Sequence, residues 1–351
     1  MKETKRRSKF DIALLLAFTV VVVAVTILMT VTFNNHIGDM TGGNEEYYSG
    51  YYVMITENRT SQFWRSVYEG GLKAGKESNV YVELLGDNLS RDYSKKDLMQ
   101  MAIASGVDGI ILEADESEET CNLINEAVEN GIQVVTLYSD SAQSNRCSFV
   151  GIAGYNLGRE YGNRIIKLAS EQMSLHPDKK EILVDILFDA NAQDSGQNIM
   201  FSGIQETVSQ DSHGSSIVLN PVSVNSENSF SVESSIRSIF MDTSSAVPDI
   251  IVCPNEIDTT CVYQAVVDYN KVGLVSVLGY FDSDTILKAI DRNVISATVS
   301  IDTEQMGAFC IEALNDYRKF GATSQYYTAD ITMIDKGNIL EYLDGGNENE
   351  N

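Results

Sequence analysis

From Tyr51 onward, strand-length apolar runs alternate with amphipathic helical stretches, and this alternation narrows the fold more than any other feature of the chain. The first unit sets the pattern. Tyr51 to Ile55 is an apolar run, followed by the polar turn Glu57-Asn58-Arg59-Thr60-Ser61. Such residues cap helices and tolerate turns. Phe63, Val67, Gly70, Gly71 and Ala74 then recur at helical spacing, which predicts an amphipathic helix. Strand, polar turn and helix form the opening unit of an open α/β sheet. Ligands of such sheets bind beyond the carboxyl ends of the strands, where this turn lies. Phe63 and Trp64, the only tryptophan, stand at that place. Neighbouring helical residues point about 100° apart, so the two rings cannot both face the core. One is free to line a cleft.

The pattern repeats. Val80 to Leu85, Asp108 to Leu112, Ile132 to Leu137 and Ser148 to Ile152 read as further strands. The helices between them carry Leu98, Met101, Ala102 and Ser105, then Cys121, Ile124 and Val128. A second series follows, with strands at Glu181 to Phe188, Ile217 to Val224, Asp249 to Cys253 and Leu274 to Leu278. Ile295 to Ser300 and Asp330 to Ile334 read as late strands. Near-continuous apolar strands separated by helices predict parallel sheets covered on both faces. Two series of similar size predict two Rossmann-like lobes facing each other across a hinged cleft.

Ahead of these lobes, residues 12–33 contain no charge, and Lys2, Lys5, Arg6, Arg7 and Lys9 precede them. As a helix those residues would span roughly 33 Å, enough for a bilayer core. The run is too long for a cleaved signal peptide, whose apolar region is about 7–15 residues. A signal-anchor is expected, with the basic flank at 1–11 in the cytoplasm and the remainder outside it. Residues 34–49 read as a tether and 344–351 as a disordered tail. The net charge of −25 argues against nucleic-acid binding, which needs a basic face to neutralise phosphates.

The five cysteines are widely spaced and odd in number, unlike a disulfide framework or a zinc site. They read as small core residues, with Cys121–Cys147 the one pair open to bridging. His36, His176 and His213 are isolated. Neither a metal nor a cofactor is expected, and no nucleophile elbow or paired acid and base marks an enzyme.

Several passages together carry a resemblance. They are QFWRSVYEGGLKAGKE at the first helix, ASGVDGIILEADESEE and NEAVENGIQVVTLYSD, GIAGYNLG, PDIIVCPNEIDT, and SVLGYFDSD followed by ISATVSIDTEQMG. In this order and spacing they resemble the type I periplasmic sugar-binding proteins, the ribose- and galactose-binding group related to the LacI effector domains. The resemblance covers about residues 50 to 340. It implies three chain crossings between lobes, near Tyr155, Ile301 and Thr328. The first lobe is then 50–154 plus 302–328 and the second 155–301 plus 329–343. By position, the family's stacking aromatics fall on Phe63 and Trp64, and its second-lobe asparagine on Asn255. Asn156 keeps the asparagine of the first crossing, and Asn58 lies in the first turn of the cleft. Elsewhere the residues depart from the family: its charged pair after the fourth strand is Tyr138 and Ser139, and its arginine falls on Asn198. Its late aspartate falls on Phe281, with Asp282 beside it, and its glutamine on Ile301. Those ten positions, Ile301 aside, form the expected binding site. Fewer bidentate partners for hydroxyls imply a ligand less polar than a free pentose or hexose, or a modified sugar.

Two functions are then open. One is a membrane-anchored solute-binding protein that delivers a sugar or related small molecule to the permease of an ABC-type importer. The other is a sensory co-receptor that presents the ligand-bound state to a membrane histidine kinase.

Overall fold

The computed structural model describes residues 48–190, 195–212, 214–226, 228–241 and 246–343. The expected basic flank, membrane span and tail lie outside the described residues, as does the tether up to residue 47. Among the described residues no helix is long and apolar enough to cross a membrane.

The chain runs β1 (Gly50–Ile55), α1 (Gln62–Glu77), β2 (Val80–Leu84), α2 (Lys95–Ser105), β3 (Gly109–Leu112), α3 (Glu118–Glu129), β4 (Gln133–Leu137) and β5 (Ser148–Gly151). It continues through α4 (Gly154–Leu175), β6 (Ile182–Asp189), α5 (Ser195–Gln210), β7 (Ile217–Val224), α6 (Ser229–Met241), β8 (Ile250–Val252), α7 (Glu256–Asp268), β9 (Ser276–Tyr280), α8 (Asp284–Asp291) and β10 (Ala297–Ile301). The last elements are α9 (Thr303–Phe320), β11 (Tyr326–Thr328), β12 (Ile331–Asp335) and α10 (Ile339–Leu343). Two six-stranded sheets result, ordered β11-β5-β4-β3-β1-β2 and β12-β10-β9-β8-β6-β7.

Side-chain alternation in β1 explains how helices come to cover both faces. Tyr52 and Met54 point into a core shared with Phe63 and Val67 of α1 and Met306 and Cys310 of α9. Val53 and Ile55 point the other way, onto Leu98 and Met99 of α2 and Ile124 of α3. The second sheet is covered likewise, by Tyr161 and Ile165 of α4 and Ile204 of α5 on one face and by Ile236, Val262 and Ile286 on the other. Pro221 lies in β7, an edge strand that pairs with β6 alone. An edge is where a strand tolerates the lost N–H.

Two points differ from the parallel pattern read in the sequence. β12 runs antiparallel to β10, with Ile301 opposite Ile331. Only Ala329 and Asp330 separate it from β11 in the other sheet, so the chain enters the second sheet with no helix to turn it round. The expected stripes on α2 and α3 are also displaced. Leu98, Met99 and Ala102 are buried on α2, and Ile124 and Ala127 on α3. All five cysteines are free, with Cys253 and Cys310 buried.

The chain passes between sheets at β5–α4, at β10–α9 and at β11–β12. Hydrogen bonds tie these passages together. Asp302 N–H donates to the Asp330 carbonyl at 3.0 Å, and Ala329 N–H to the Gly151 carbonyl at 2.9 Å. The Gln305 amide both donates to the Asp330 carboxylate at 3.2 Å and accepts from Asp330 N–H at 2.7 Å.

Candidate functional site

The carboxyl ends of both sheets open onto one cavity of about 460 Å³. Lobe one supplies Asn58, Ser61, Phe63 and Trp64 from the β1–α1 turn, Glu57 before them, Glu113 after β3, and Tyr138 and Ser139 after β4. Lobe two supplies Asp189 at the end of β6, Asn255, Glu256 and Asp258 at the start of α7, and Tyr280 at the end of β9. Gln197, Ser226 and Asn228 complete its polar side.

The start of each helix explains this arrangement. Ser61 caps α1 without bonding the helix itself; its hydroxyl donates instead to Glu256 Oε2 at 2.7 Å in the other lobe. Phe63 N–H points at the same oxygen, 3.5 Å away. A carboxylate is favoured there because the amino end of a helix carries partial positive charge. In lobe two Asn255 caps α7, accepting from Asp258 N–H at 2.8 Å and donating to the Asp258 carboxylate at 2.7 Å.

An aromatic cluster joins the lobes. The Phe63 ring meets Trp64, Tyr138 and Phe281 edge-on, with centroids 5.0, 5.5 and 5.3 Å apart. Trp64 meets Tyr138 at 5.5 Å, and Tyr280 lies 6.2 Å from Phe63 and 6.3 Å from Tyr138. Edge-to-face contacts suit the ring quadrupole. Tyr138 and Phe281 hold left-handed backbone at φ 69° and 71°, uncommon for bulky residues. Each follows the last residue of a central strand, and each donates its N–H to the neighbouring strand, to the Val150 and Val299 carbonyls. The two lobes thus use the same strained turn to aim an aromatic ring at the interface.

Burial shapes the electrostatics. Desolvation pushes the Asp258 carboxyl up to about 7, the Asn255 amide opposing the rise and the Asp189 carboxylate adding to it. Glu113 is also raised by burial, against the pull of the Lys95 ammonium. Its carboxylate accepts from Glu57 N–H at 2.6 Å. Tyr280 is raised well above the ordinary phenol value by burial and by the nearby Tyr138 hydroxyl, and its own hydroxyl makes no contact of hydrogen-bond geometry. Among the described residues no cluster of His, Cys, Asp and Glu could hold a metal ion.

Six of the ten expected site residues line the cavity: Asn58, Phe63, Trp64, Tyr138, Ser139 and Asn255. The other four stand elsewhere. Asn156 and Asn198 are exposed on α4 and α5. Phe281 is buried at 3% exposure behind Phe63, and Asp282 accepts from the Ser300 hydroxyl at 2.8 Å. The expected division between Phe63 and Trp64, one inward and one free, does not hold. Both are buried and both touch the cavity, because the rings of Tyr138, Tyr280 and Phe281 extend the core out to its wall. The residues missed are chiefly acids: Glu57, Glu113, Asp189, Glu256 and Asp258. A signal for three of them was available, since Glu57, Glu113 and Asp189 lie at or within two residues of a strand's carboxyl end.

A family model described as the periplasmic binding protein domain matches residues 52–322. The chain belongs to that family. Periplasmic binding proteins bind solutes without turning them over, in keeping with a cavity between two lobes. Solved structures agree on the fold. A glucose-galactose binding protein from Geobacillus stearothermophilus is similar at 20% identity and a TM-score of 0.68, covering 82% of this chain and 98% of its own. XylFII, at 24% identity, scores 0.66 with the same coverage, and it is also solved as a XylFII–LytSN complex. The sugar-binding protein of a sugar ABC transporter from Bacillus halodurans scores 0.67 at 21% identity, covering 83% of this chain and 99% of its own. Among curated proteins, none matches the sequence.

Proposed function

We propose that this periplasmic binding protein captures a sugar or sugar-like solute between its lobes, outside the cytoplasm, for delivery to an ABC-type importer. The observation that carries this reading is the cavity of about 460 Å³, built from the carboxyl ends of both sheets and lined by aromatic rings and polar groups together. Apolar faces of a ring solute stack on such rings while hydroxyls take the polar groups. The solved neighbours named for sugars support the class of solute. The uncharged stretch at 12–33 would hold the protein to the membrane and keep it concentrated near a membrane partner.

A second reading is a sensory co-receptor for a membrane histidine kinase. The XylFII–LytSN complex favours it, since a protein of this fold is there bound to a second protein. A thermal-shift screen of sugars and small metabolites on the full chain tests capture, because a ligand of the folded state raises its melting temperature. Cross-linking in membranes with the ligand so found then separates permease from kinase. A panel that leaves the melting temperature unmoved would count against capture altogether.

A further inference from the structure

We infer that the solute held in this cleft is a small organic cation, a protonated amine or guanidinium carried on a ring or short chain. The inference rests on the reading of the cleft as the place of capture and adds the charge of what is captured.

Five carboxylates, those of Glu57, Glu113, Asp189, Glu256 and Asp258, line the cavity, and no Lys, Arg or His is among its lining residues. Lys95 pairs with Glu57 at 3.5 Å. Glu113, Glu256 and Asp258 accept instead from neutral donors: Glu57 N–H, the Ser61 hydroxyl and the Asn255 amide. Carboxylates withdrawn from water are costly unless a positive charge meets them. The Lys95 charge also reaches Glu113, but on the facing lobe no basic side chain lines the cavity beside Glu256 and Asp258, and a countercharge for them can come from the space between.

Two further observations point the same way. Phe63, Trp64, Tyr138 and Tyr280 line the same cavity as these acids, and ring faces attract a cation placed over them. Tyr280 is 2% exposed, and its hydroxyl, beside that of Tyr138, makes no contact of full hydrogen-bond geometry. A buried polar group left open in a binding cavity is a place where ligand completes the bonding. A neutral polyol would donate to the carboxylates but leave their charge in place, and an anion would add to it. An ammonium or guanidinium offers donors and charge together.

The test titrates the full chain with glucosamine, putrescine and arginine, which carry the same chemistry on different frames, and with glucose and N-acetylglucosamine as neutral counterparts. Trp64 fluorescence and calorimetry read binding. At least one amine should bind about tenfold or more tighter than the neutral sugars, with affinity falling as salt rises from about 50 to about 500 mM. Glu113→Gln and Asp258→Asn should each weaken that amine by about tenfold or more. The comparison of glucosamine with N-acetylglucosamine and the salt series need no variant, so they decide even if a variant folds poorly. Glucose or N-acetylglucosamine binding as tightly as glucosamine would overturn the cation while leaving solute capture intact. Binding by none of the five would overturn the cation and count against capture as well. Calcium chloride quenching Trp64 and displacing the amine would overturn it in favour of a metal site.

Discussion

Trp64 stands at the cavity wall, touching Phe63 and Tyr138 edge-on, and its truncation removes ring area from the space a ligand would fill. Trp64→Ala should therefore cost about 1–3 kcal/mol of ligand binding by calorimetry, and unchanged affinity would move the ligand away from this wall. Asp258 acts on stability. Its carboxyl is raised from 3.8 to about 7 by burial. Between those values the folded state holds a proton that the unfolded chain releases, so stability falls as pH rises through this window and levels off above it. The loss amounts to no more than about 4 kcal/mol. Asp258→Asn should flatten that fall in urea denaturation, and an unaltered slope would assign it to other groups. At this scale the sequence was only half legible. Asn58, in the turn after β1, follows from the general rule for open sheets, and Asn255 from the family resemblance. Glu256 was passed over because its role depends on the facing lobe: its partner Ser61 is 195 residues away in sequence. Tyr280 lies two residues past the strand read as Leu274 to Leu278, and only the observed β9, which ends on it, puts it in the wall.

Helix pairs hold each lobe through glycine contacts. A Cβ on Gly307 of α9 would lie 2.2 Å from the Val67 carbonyl oxygen of α1, and one on Gly158 of α4 would lie 2.1 Å from the Met200 carbonyl oxygen of α5. Both helix pairs would have to separate. Gly71 differs, since its added Cβ would make an ordinary 3.6 Å contact with Gly307. Gly307→Ala should accordingly lose about 1–3 kcal/mol of stability, whereas Gly71→Ala should be neutral or gain up to about 1 kcal/mol from helix propensity. Thermal unfolding of the two variants makes the comparison, and equal losses would contradict the close approach. Elements were the most legible level of this sequence. The strand β7 was read at its observed bounds, and most of the alternation emerged from periodicity, although the helices α8, α9 and α10 were not read. Three further features escaped. The strand β11 is three residues long with two of them exposed, too short for any period to register. The direction of β12 depends on a two-residue connection between sheets, which apolar spacing does not encode. On α2, the sets 98, 101, 102, 105 and 98, 99, 102 fit a helical period about equally, and the choice fell to packing against Val53 and Ile55.

Across the whole molecule, the two lobes meet through the Ser61–Glu256 hydrogen bond and the ring cluster on one side and through the hydrogen-bonded crossings on the other. A ligand that touches both lobes favours the closed arrangement over any open one. Small-angle scattering should show a smaller radius of gyration with saturating ligand than without, and identical profiles would indicate a rigid scaffold. The position of α9 also has a consequence for how such a protein is made. This helix packs into the core beside β1 and α1, yet it is encoded some 250 residues after β1. The first lobe to leave the ribosome is therefore the one that waits longest to be finished. Until residues 303–328 emerge, Val67 and the glycines of α1 lack the helix that covers them, and synthesis halted before that point leaves an apolar groove open to proteases and to other nascent chains.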